Sequence, residues 1–554
     1  MLQMVYREVR GLHQAAYILA LFAFGSQLLA LIRDRMLAHQ FGAGIELDLY
    51  YTAFRIPDVL FVIFASALSV YVLIPFVAER IDGENTARAR DLLSHIFTLF
   101  LACYTLLAAL IALLAPYIVP VFFPGFASES ESLVLLMRIL LLQPLFLGLS
   151  SLFGVITQMG HRFVLYALSP LIYNVGIIFG IIGLYPLFGL PGLALGVVLG
   201  ALGHLVIQLP FVLGDRLAPR LSLQIPFEEV RAVLVSSLPR ALTLSLNQLV
   251  LLILIGMASL MTVGSVSVFQ FAFNLQSVPL SIIGVSYSVA AFPILAKLFS
   301  EENLDQFRSH IITALRHIIF WSIPAIALFI VVRAQLVRVI LGSGAFDWDD
   351  TMLVAAVLVL FLISLTAQAM NLLLIRAFYA GGDTKTPFLI SAFGALGAVI
   401  AAYALHAWFV TSPQLANAFT TLMRVDGVPG TEILMLALGY SVALLLQSAL
   451  LVWFARRRFT ISLNWLPLHL LRALFAAVLG GTLAYLALNL FVLGIKGDTV
   501  VGIFIQGLLS GIVGMVGVVI GYYVLRTPEL SEVLSAFHRR IFKTDVVAPQ
   551  DDVL

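Results

Sequence analysis

Arg33, Asp34 and Arg35 stand together in "LALIRDRMLAHQFGAG", residues 28–43, directly after the apolar run "AAYILALFAFGSQ". Two guanidinium groups beside a carboxylate are suited to holding an anion, because the planar arginine fork matches two oxygens of a phosphate at once. A charge at mid-bilayer costs about 2.5–3.5 kcal/mol on insertion scales, and such residues usually face a polar cavity. Two readings stay open: a cationic cavity, or side chains that snorkel to a helix end. Leu12 to Arg33 spans roughly 31 Å of helix, so the charges lie near the far end of a span. Asp48 and Arg55 follow at the start of the next apolar segment. Arg240, just after Pro239 in the seventh segment, either completes the same cavity or snorkels towards the other face. Arg33 and Arg35 sit about 200° apart around a helix, so one face admits only one of them. Arg33 is assigned to the cavity, with Asp34 and Asp48 as candidate partners, and Arg35 to the outer interface.

The elements that must position these residues are set by composition. Of 554 residues, 61% are hydrophobic and only 11% charged, against about 25% in soluble domains. Lipid must cover this much apolar surface. Fourteen apolar segments approach the roughly 20 residues that cross hydrocarbon: 12–38, 53–79, 92–118, 133–157, 163–186, 191–213, 231–258, 265–297, 311–333, 352–378, 386–409, 433–455, 468–493 and 499–525. The fold class is therefore all-α and polytopic. The N-terminus lacks a signal-peptide cleavage pattern, so the first apolar run is expected to stay.

Basic residues orient the spans. With a cytoplasmic N-terminus, 22 of the 31 Lys and Arg fall in cytoplasmic segments, and only Arg333, Arg338, Arg424 and Lys496 fall on the opposite face. Both termini are accordingly expected in the cytoplasm.

An internal repeat is visible. "LIPFVAERI" around Pro75 matches "AFPILAKLF" around Pro293, and "ITQMGHRF" at Gly160 matches "FYAGGDTKTPF" at Gly382. Two matches at nearly one period suggest duplicated halves in one orientation, a transporter architecture. The expected organisation is a six-helix lobe over 1–215, a second over 216–460, two further transmembrane helices over 461–526 and a cytoplasmic tail over 527–554.

No catalytic, cofactor or metal motif accompanies them. The sequence has no phosphate-binding glycine loop, no His-Glu-x-x-His and no Gly-x-Ser-x-Gly elbow. "FDWDD" at 346–350 reads as a solvated acidic patch rather than a cation site. The single cysteine, Cys103, reads as an inert buried thiol.

"LLALIRDRMLAHQFGAGIELDLYYTAFRIPDVL" resembles the opening signature of the MurJ (MviN) family, and "RAFYAGGDTKTPF" at 376–388 resembles its tenth-span signature. "ASLMTVGSVSVFQFAFNLQSVPLSIIGVSYSVAAFPILAK" at 258–297 follows its seventh-to-eighth span segment. The resemblance covers nearly the whole chain. It implies a flippase, not an enzyme, of the multidrug/oligosaccharidyl-lipid/polysaccharide exporter superfamily. Such a protein moves lipid II, the undecaprenyl-diphosphate-linked peptidoglycan precursor, across the bacterial inner membrane by alternating access. No cofactor, nucleic acid or obligatory oligomer is implied; membrane lipids, and conceivably cell-wall synthesis proteins, are the other partners.

The resemblance places Ser26, Arg33, Asp34, Asp48 and Arg55 in or near the central cavity. It also marks departures. Gln27, Phe61 and Asn274 stand where well-studied members carry arginines thought to grip the diphosphate, and Ser66 stands where an acid is expected. These departures leave open a flippase for another polyprenyl-diphosphate-linked glycan or amphiphile, or a non-transporting membrane partner of cell-envelope enzymes.

Overall fold

The computed structural model describes residues 12–81, 85–222, 224, 226–494 and 499–542. The described residues form helices joined by short turns, with no β-strand among them. Among the described residues, twelve helices are long and apolar enough to cross a membrane. The pair Trp348–Ile363 and Leu365–Ala380, bent by 44°, raises the number to as many as thirteen. The first helix, Leu12–Phe41, is 30 residues long and lies outside that set, so the expected fourteen spans stand as an approximate number.

Most spans fall where the apolar runs put them: the run at 265–297 becomes Ser265–Ser300, and that at 433–455 becomes Ile433–Phe459. The second span departs. It starts eight residues early and is built in three pieces, Ile45–Ala53, Arg55–Ala67 and Val70–Ala78. Its helix is interrupted at Leu68 and Ser69, where Ser69 takes an extended backbone (ψ 141°). Asp48 and Arg55 thus lie within helical structure rather than ahead of it.

The repeat has a conformational counterpart. Pro75 and Pro293 each sit inside a helix. Gly160 closes the Leu142–Met159 helix, and the next residue, His161, turns left-handed at φ 54°. Gly381 closes the Leu365–Ala380 helix, and Gly382 turns left-handed at φ 73°. The caps pair Gly160 with Gly381, one residue out of the register that the sequence match suggests. Gly382 is the residue that tolerates a positive φ most easily.

The helices group into two compact units. The first comprises Met1–Val278, Ile340–Phe361 and Asp383–Gln447. Within it, the Phe163–Phe179 helix packs against Leu190–Val206 through glycines: a Cβ on Gly176 would collide with the backbone of Gly200, and one on Gly196 with Gly180. Small residues that let backbones approach are the characteristic contact between helices in lipid. Tyr104 is fully buried and its hydroxyl donates to the Leu141 carbonyl at 2.6 Å.

The second unit comprises Pro279–Val339, Leu362–Gly382 and Ser448–Leu554. Its Leu466–Gly494 and Val500–Val524 helices pack against each other, again through small residues, with Gly480 against Gly514 and Val518. The Pro528–Phe542 helix is tied down by Glu529, which takes Arg316 Nε at 2.6 Å and His469 Nε2 at 2.9 Å. His317 Nε2 lies 3.0 Å from Glu532, and Leu530 and Val533 pack beside Trp465 and Tyr522. Burial raises the Glu529 carboxyl, but its own backbone N–H, the hydrogen bond and charge of Arg316 and the charge of His469 outweigh it, so Glu529 titrates below the usual carboxylate range.

Cys103 is exposed, not buried. It lies on the Ala87–Phe122 helix with Leu106, Leu113 and Tyr117, which are all more than two-thirds exposed. An all-apolar helix does not reveal which face meets lipid, so the sequence alone misplaces the thiol.

Candidate functional site

Within the first unit, three charged and four neutral polar side chains join into one hydrogen-bonded chain. Arg33 and Asp34, on the Leu12–Phe41 helix, are its centre. Arg33 donates to Asp34 Oδ1 from Nε at 3.0 Å and from Nη2 at 2.8 Å. Arg33 Nη1 donates to Asn174 Oδ1 at 3.2 Å. Asn174 Nδ2 in turn reaches Ser26 Oγ at 3.2 Å, and Ser26 lies seven residues, two turns, before Arg33.

The other oxygen of Asp34 continues the chain. Asn274 Nδ2 donates to Asp34 Oδ2 at 3.0 Å, and Gln270 Nε2 donates to Asn274 Oδ1 at 2.6 Å. Gln270 and Asn274 are four apart on the Ser265–Leu280 helix, so they share a face. Gln270 Oε1 then accepts from Arg55 Nη2. Ser26, Asn174, Arg33, Asp34, Asn274, Gln270 and Arg55 form one continuous relay that carries two guanidiniums and one carboxylate.

The electrostatics of the relay are uneven. The Asp34 side chain is 5% exposed and that of Arg33 20%, so this pair is shielded from water on one side only. Arg55 is buried, its Nη2 donates to the neutral amide of Gln270, and its Nε has no hydrogen-bond partner among the described residues. The Asp58 carboxylate, about one turn on along the same helix, acts on Arg55 through its charge, and burial of the guanidinium still favours a further anion brought beside it. The arrangement is suited to a phosphate-bearing group, because the fork of Arg33 that holds Asp34 and Asn174 matches phosphate oxygens equally well.

The structure brings together Ser26, Arg33, Asp34, Asn274 and Arg55 from the expected set. It does not bring Asp48 to Arg33. Asp48 is buried and accepts from Gly264 N and Ser267 N, both at 2.7 Å, and from Ser267 Oγ at 2.5 Å. Its carboxylate caps the N-terminal end of the Ser265–Leu280 helix, where unsatisfied amides and the helix dipole favour negative charge. Arg240 belongs to the Phe227–Ser259 helix, but its side chain lies outside the described residues. Arg35 points elsewhere, with Nη1 at 3.4 Å from the Ile340 carbonyl, as the 200° separation requires.

The departures are also placed. Gln27 is exposed and Phe61 half-buried. Ser66 is buried and donates to the Val62 carbonyl of its own helix at 2.7 Å. The acidic loop at 346–350 acts locally: Asp350 accepts from Ala43 N at 3.2 Å and from Asp347 N at 3.3 Å. No group of three or more His, Cys, Asp or Glu among the described residues is arranged to hold a metal ion.

Asn174 and Gln270 were missed by sequence reasoning, which followed charge. A signal existed for Asn174: an amide in the middle of "LIYNVG" needs a partner inside a membrane.

A sequence profile described as "Lipid II flippase MurJ" matches residues 37–505. Among similar proteins, the "Lipid II flippase MurJ" of Burkholderia cenocepacia is 26% identical over 492 residues, covering 86% of this chain and 91% of that protein. The "Probable lipid II flippase MurJ" of Buchnera aphidicola subsp. Baizongia pistaciae is 28% identical over 380 residues, covering 68% and 74%. A solved structure described as "Lipid II flippase MurJ, inward closed conformation" superposes with a TM-score of 0.72 at 21% identity, covering 92% of this chain and 99% of that one. An inward-facing multidrug-resistance transporter of the MATE family gives 0.63 at 16% identity, covering 78% and 94%. These two likenesses establish the fold alone, a polytopic all-helical fold that both solved proteins share. The profile match spans most of the 554 residues, and the chain belongs to the lipid II flippase MurJ family.

Proposed function

We propose that this chain is a lipid II flippase, moving the polyprenyl-diphosphate-linked peptidoglycan precursor from the inner to the outer leaflet of the bacterial cytoplasmic membrane. Both termini face the cytoplasm in this reading, as the bias of basic residues requires. The observation that carries the site is the Arg33–Asp34 pair, a guanidinium held in a membrane helix by one carboxylate and one amide.

The diphosphate and sugars of the cargo cannot cross hydrocarbon unaided. Arg33 takes the diphosphate through its fork, and Asp34 holds the arginine when cargo is absent. The buried charge of Arg55, partly offset by Asp58 and linked to Asp34 through Gln270 and Asn274, adds attraction. The prenyl tail stays in lipid. The two six-helix lobes, 1–215 and 216–460, rock about the headgroup in alternating access. Membrane potential acts on any net charge that moves, at about 2.3 kcal/mol per charge per 100 mV.

The test is rescue of cells depleted of their own lipid II flippase. Growth restored by this chain supports the reading; its failure at normal membrane abundance counts against it. A second reading, a flippase for another polyprenyl-diphosphate-linked glycan, is favoured by one feature: Phe61 and the amide of Asn274 stand where family arginines are expected.

A further inference from the structure

A second polar cluster starts at Arg35, about 200° around the first helix from Arg33. Arg35, His39, Gln40, Tyr185 and Ser343 line a cavity of about 580 Å³, walled on one side by Met36, Ile181 and Ile182. All of these belong to the first compact unit. We infer that this cavity is a binding site for the phosphate diester of a membrane phospholipid, separate from the relay around Arg33.

Three observations carry the assignment. The first is donor chemistry. Arg35 and His39 are one turn apart on one face, and Ser343 Oγ is buried with no hydrogen-bond partner among the described residues. A guanidinium, an imidazole, an amide and a hydroxyl converging on one space suit a tetrahedral oxyanion, which accepts hydrogen bonds from several directions.

The second is the wall. Residues Gly180–Leu184 form a π-helical turn, a feature that often marks functional positions in helices. The turn widens the helix where Ile181 and Ile182 face the cavity. Ile182 is 63% exposed, and Leu187 and Phe188 beyond it are also exposed. On a membrane-spanning helix such a surface meets acyl chains, so the headgroup pocket is continuous with a path for a lipid tail. A soluble phosphate gains nothing from that wall.

The third is charge balance. Tyr185 packs edge-on against Phe41, with ring centroids 4.9 Å apart, and its hydroxyl donates to Glu46 Oε2 at 3.0 Å. A carboxylate therefore flanks the tyrosine wall while Arg35 stands on the other helix. A phosphate beside Arg35 and an ammonium towards Glu46 meet both charges, which matches the zwitterionic headgroup of phosphatidylethanolamine. The inference does not rest on the identity of the transported cargo.

The experiment uses the full chain in detergent, delipidated and then titrated with dioleoylphosphatidylethanolamine under native mass spectrometry. Dioleoylglycerol and inorganic phosphate serve as separate probes. The expected result is one tightly retained phospholipid, weakened about tenfold in Arg35→Gln and unchanged in Arg424→Gln, an arginine on another outer loop. Dioleoylglycerol should not compete, because it lacks the phosphate, and excess inorganic phosphate should not displace the phospholipid. Ile182→Trp obstructs the wall from an exposed position without altering the core, and should weaken binding even if Arg35→Gln folds poorly. Equal retention by the wild type, Arg35→Gln and Ile182→Trp would overturn the site. Displacement by inorganic phosphate would overturn the lipid assignment, and competition by dioleoylglycerol would overturn the headgroup assignment.

Discussion

Arg33 and Asp34 are neighbours in the chain yet form an ion pair, with Nη2 at 2.8 Å and Nε at 3.0 Å from the same carboxylate oxygen. Successive helical residues diverge by about 100°, so the guanidinium bends back along the helix surface to meet Asp34. The consequence is a membrane-helix arginine whose charge is nearly neutralised, and in the proposed mechanism cargo displaces Asp34 from it. The remaining Asp34 oxygen is committed to Asn274 at 3.0 Å, which places the resting pair at the centre of the relay.

Fork geometry matters at Arg33 as well as charge. A lysine keeps the charge but presents it as a point on a flexible stem, without the planar fork that pairs two acceptor oxygens at once. Arg33→Lys should insert and fold normally and lose at least about tenfold in transport, or roughly 1.4 kcal/mol. Arg35→Lys should leave transport nearly unchanged. Transport assays at matched membrane abundance check both.

Asp48 should behave as a structural residue. Its carboxylate satisfies two backbone amides and one hydroxyl at the start of the Ser265–Leu280 helix. Asp48→Ala should destabilise the protein by about 1–3 kcal/mol, the cost of orphaning buried donors. Thermal unfolding should shift downwards while transport per folded molecule is retained. A large loss of transport at unchanged stability would return Asp48 to the binding site.

The second unit should show an acid-sensitive contact. Glu529 titrates below its unfolded value, so its contribution is complete above the ordinary carboxylate range and fades as pH falls through the folded value. Arg316, His469, His317 and Glu532 surround it. Hydrogen exchange of residues 528–535 should accelerate as pH is lowered from neutral into that acid range, after correction for intrinsic exchange rates. Glu529→Gln should exchange faster already at pH 7 and lose most of the pH dependence.

Orientation can be read with thiols. Arg457 stacks 4.0 Å from the Trp453 ring, and the proposed orientation puts it in the cytoplasm and the 346–350 loop outside. Asp349 is the better outer position, because Asp350 holds the Ala43 amide. In a Cys103→Ser background, needed because Cys103 is exposed, an impermeant reagent should label Asp349→Cys in intact cells and spare Arg457→Cys. The opposite pattern would invert the topology.

Much of the fold was legible because span length and apolarity are set by the bilayer rather than by tertiary detail. The 468–493 run and the Leu466–Gly494 helix agree to within two residues at each end. The site was legible as far as charge reveals it: Arg33 and Asp34 were chosen because charge in lipid demands a reason. Asn174 and Gln270 were not chosen, because a neutral amide becomes important only when its distant partner is known. The sequence offers Asp48 as a partner of Arg33, whereas its hydrogen-bond partners lie more than 200 residues away in sequence and give no local signal. The interruption at Leu68 and Ser69 carries no proline or glycine to announce it.

The substrate question turns on Phe61 and Asn274. Phe61→Arg with Asn274→Arg adds one cation within the relay and one on the Arg55–Ala67 helix. If the unmodified chain handles a different glycan, the double variant should bind lipid II at least about tenfold more tightly in a direct binding assay, a gain of roughly 1.4 kcal/mol. Unchanged binding would show that Arg33 and Arg55 already suffice.

The most direct measurement is the amount of lipid II exposed on the outer leaflet of cells depleted of their own flippase and supplied with this chain or its Arg33→Ala variant at equal membrane abundance. The account predicts that the unmodified chain restores outer-leaflet lipid II and that Arg33→Ala does not. Restoration by both, or by neither, would contradict it.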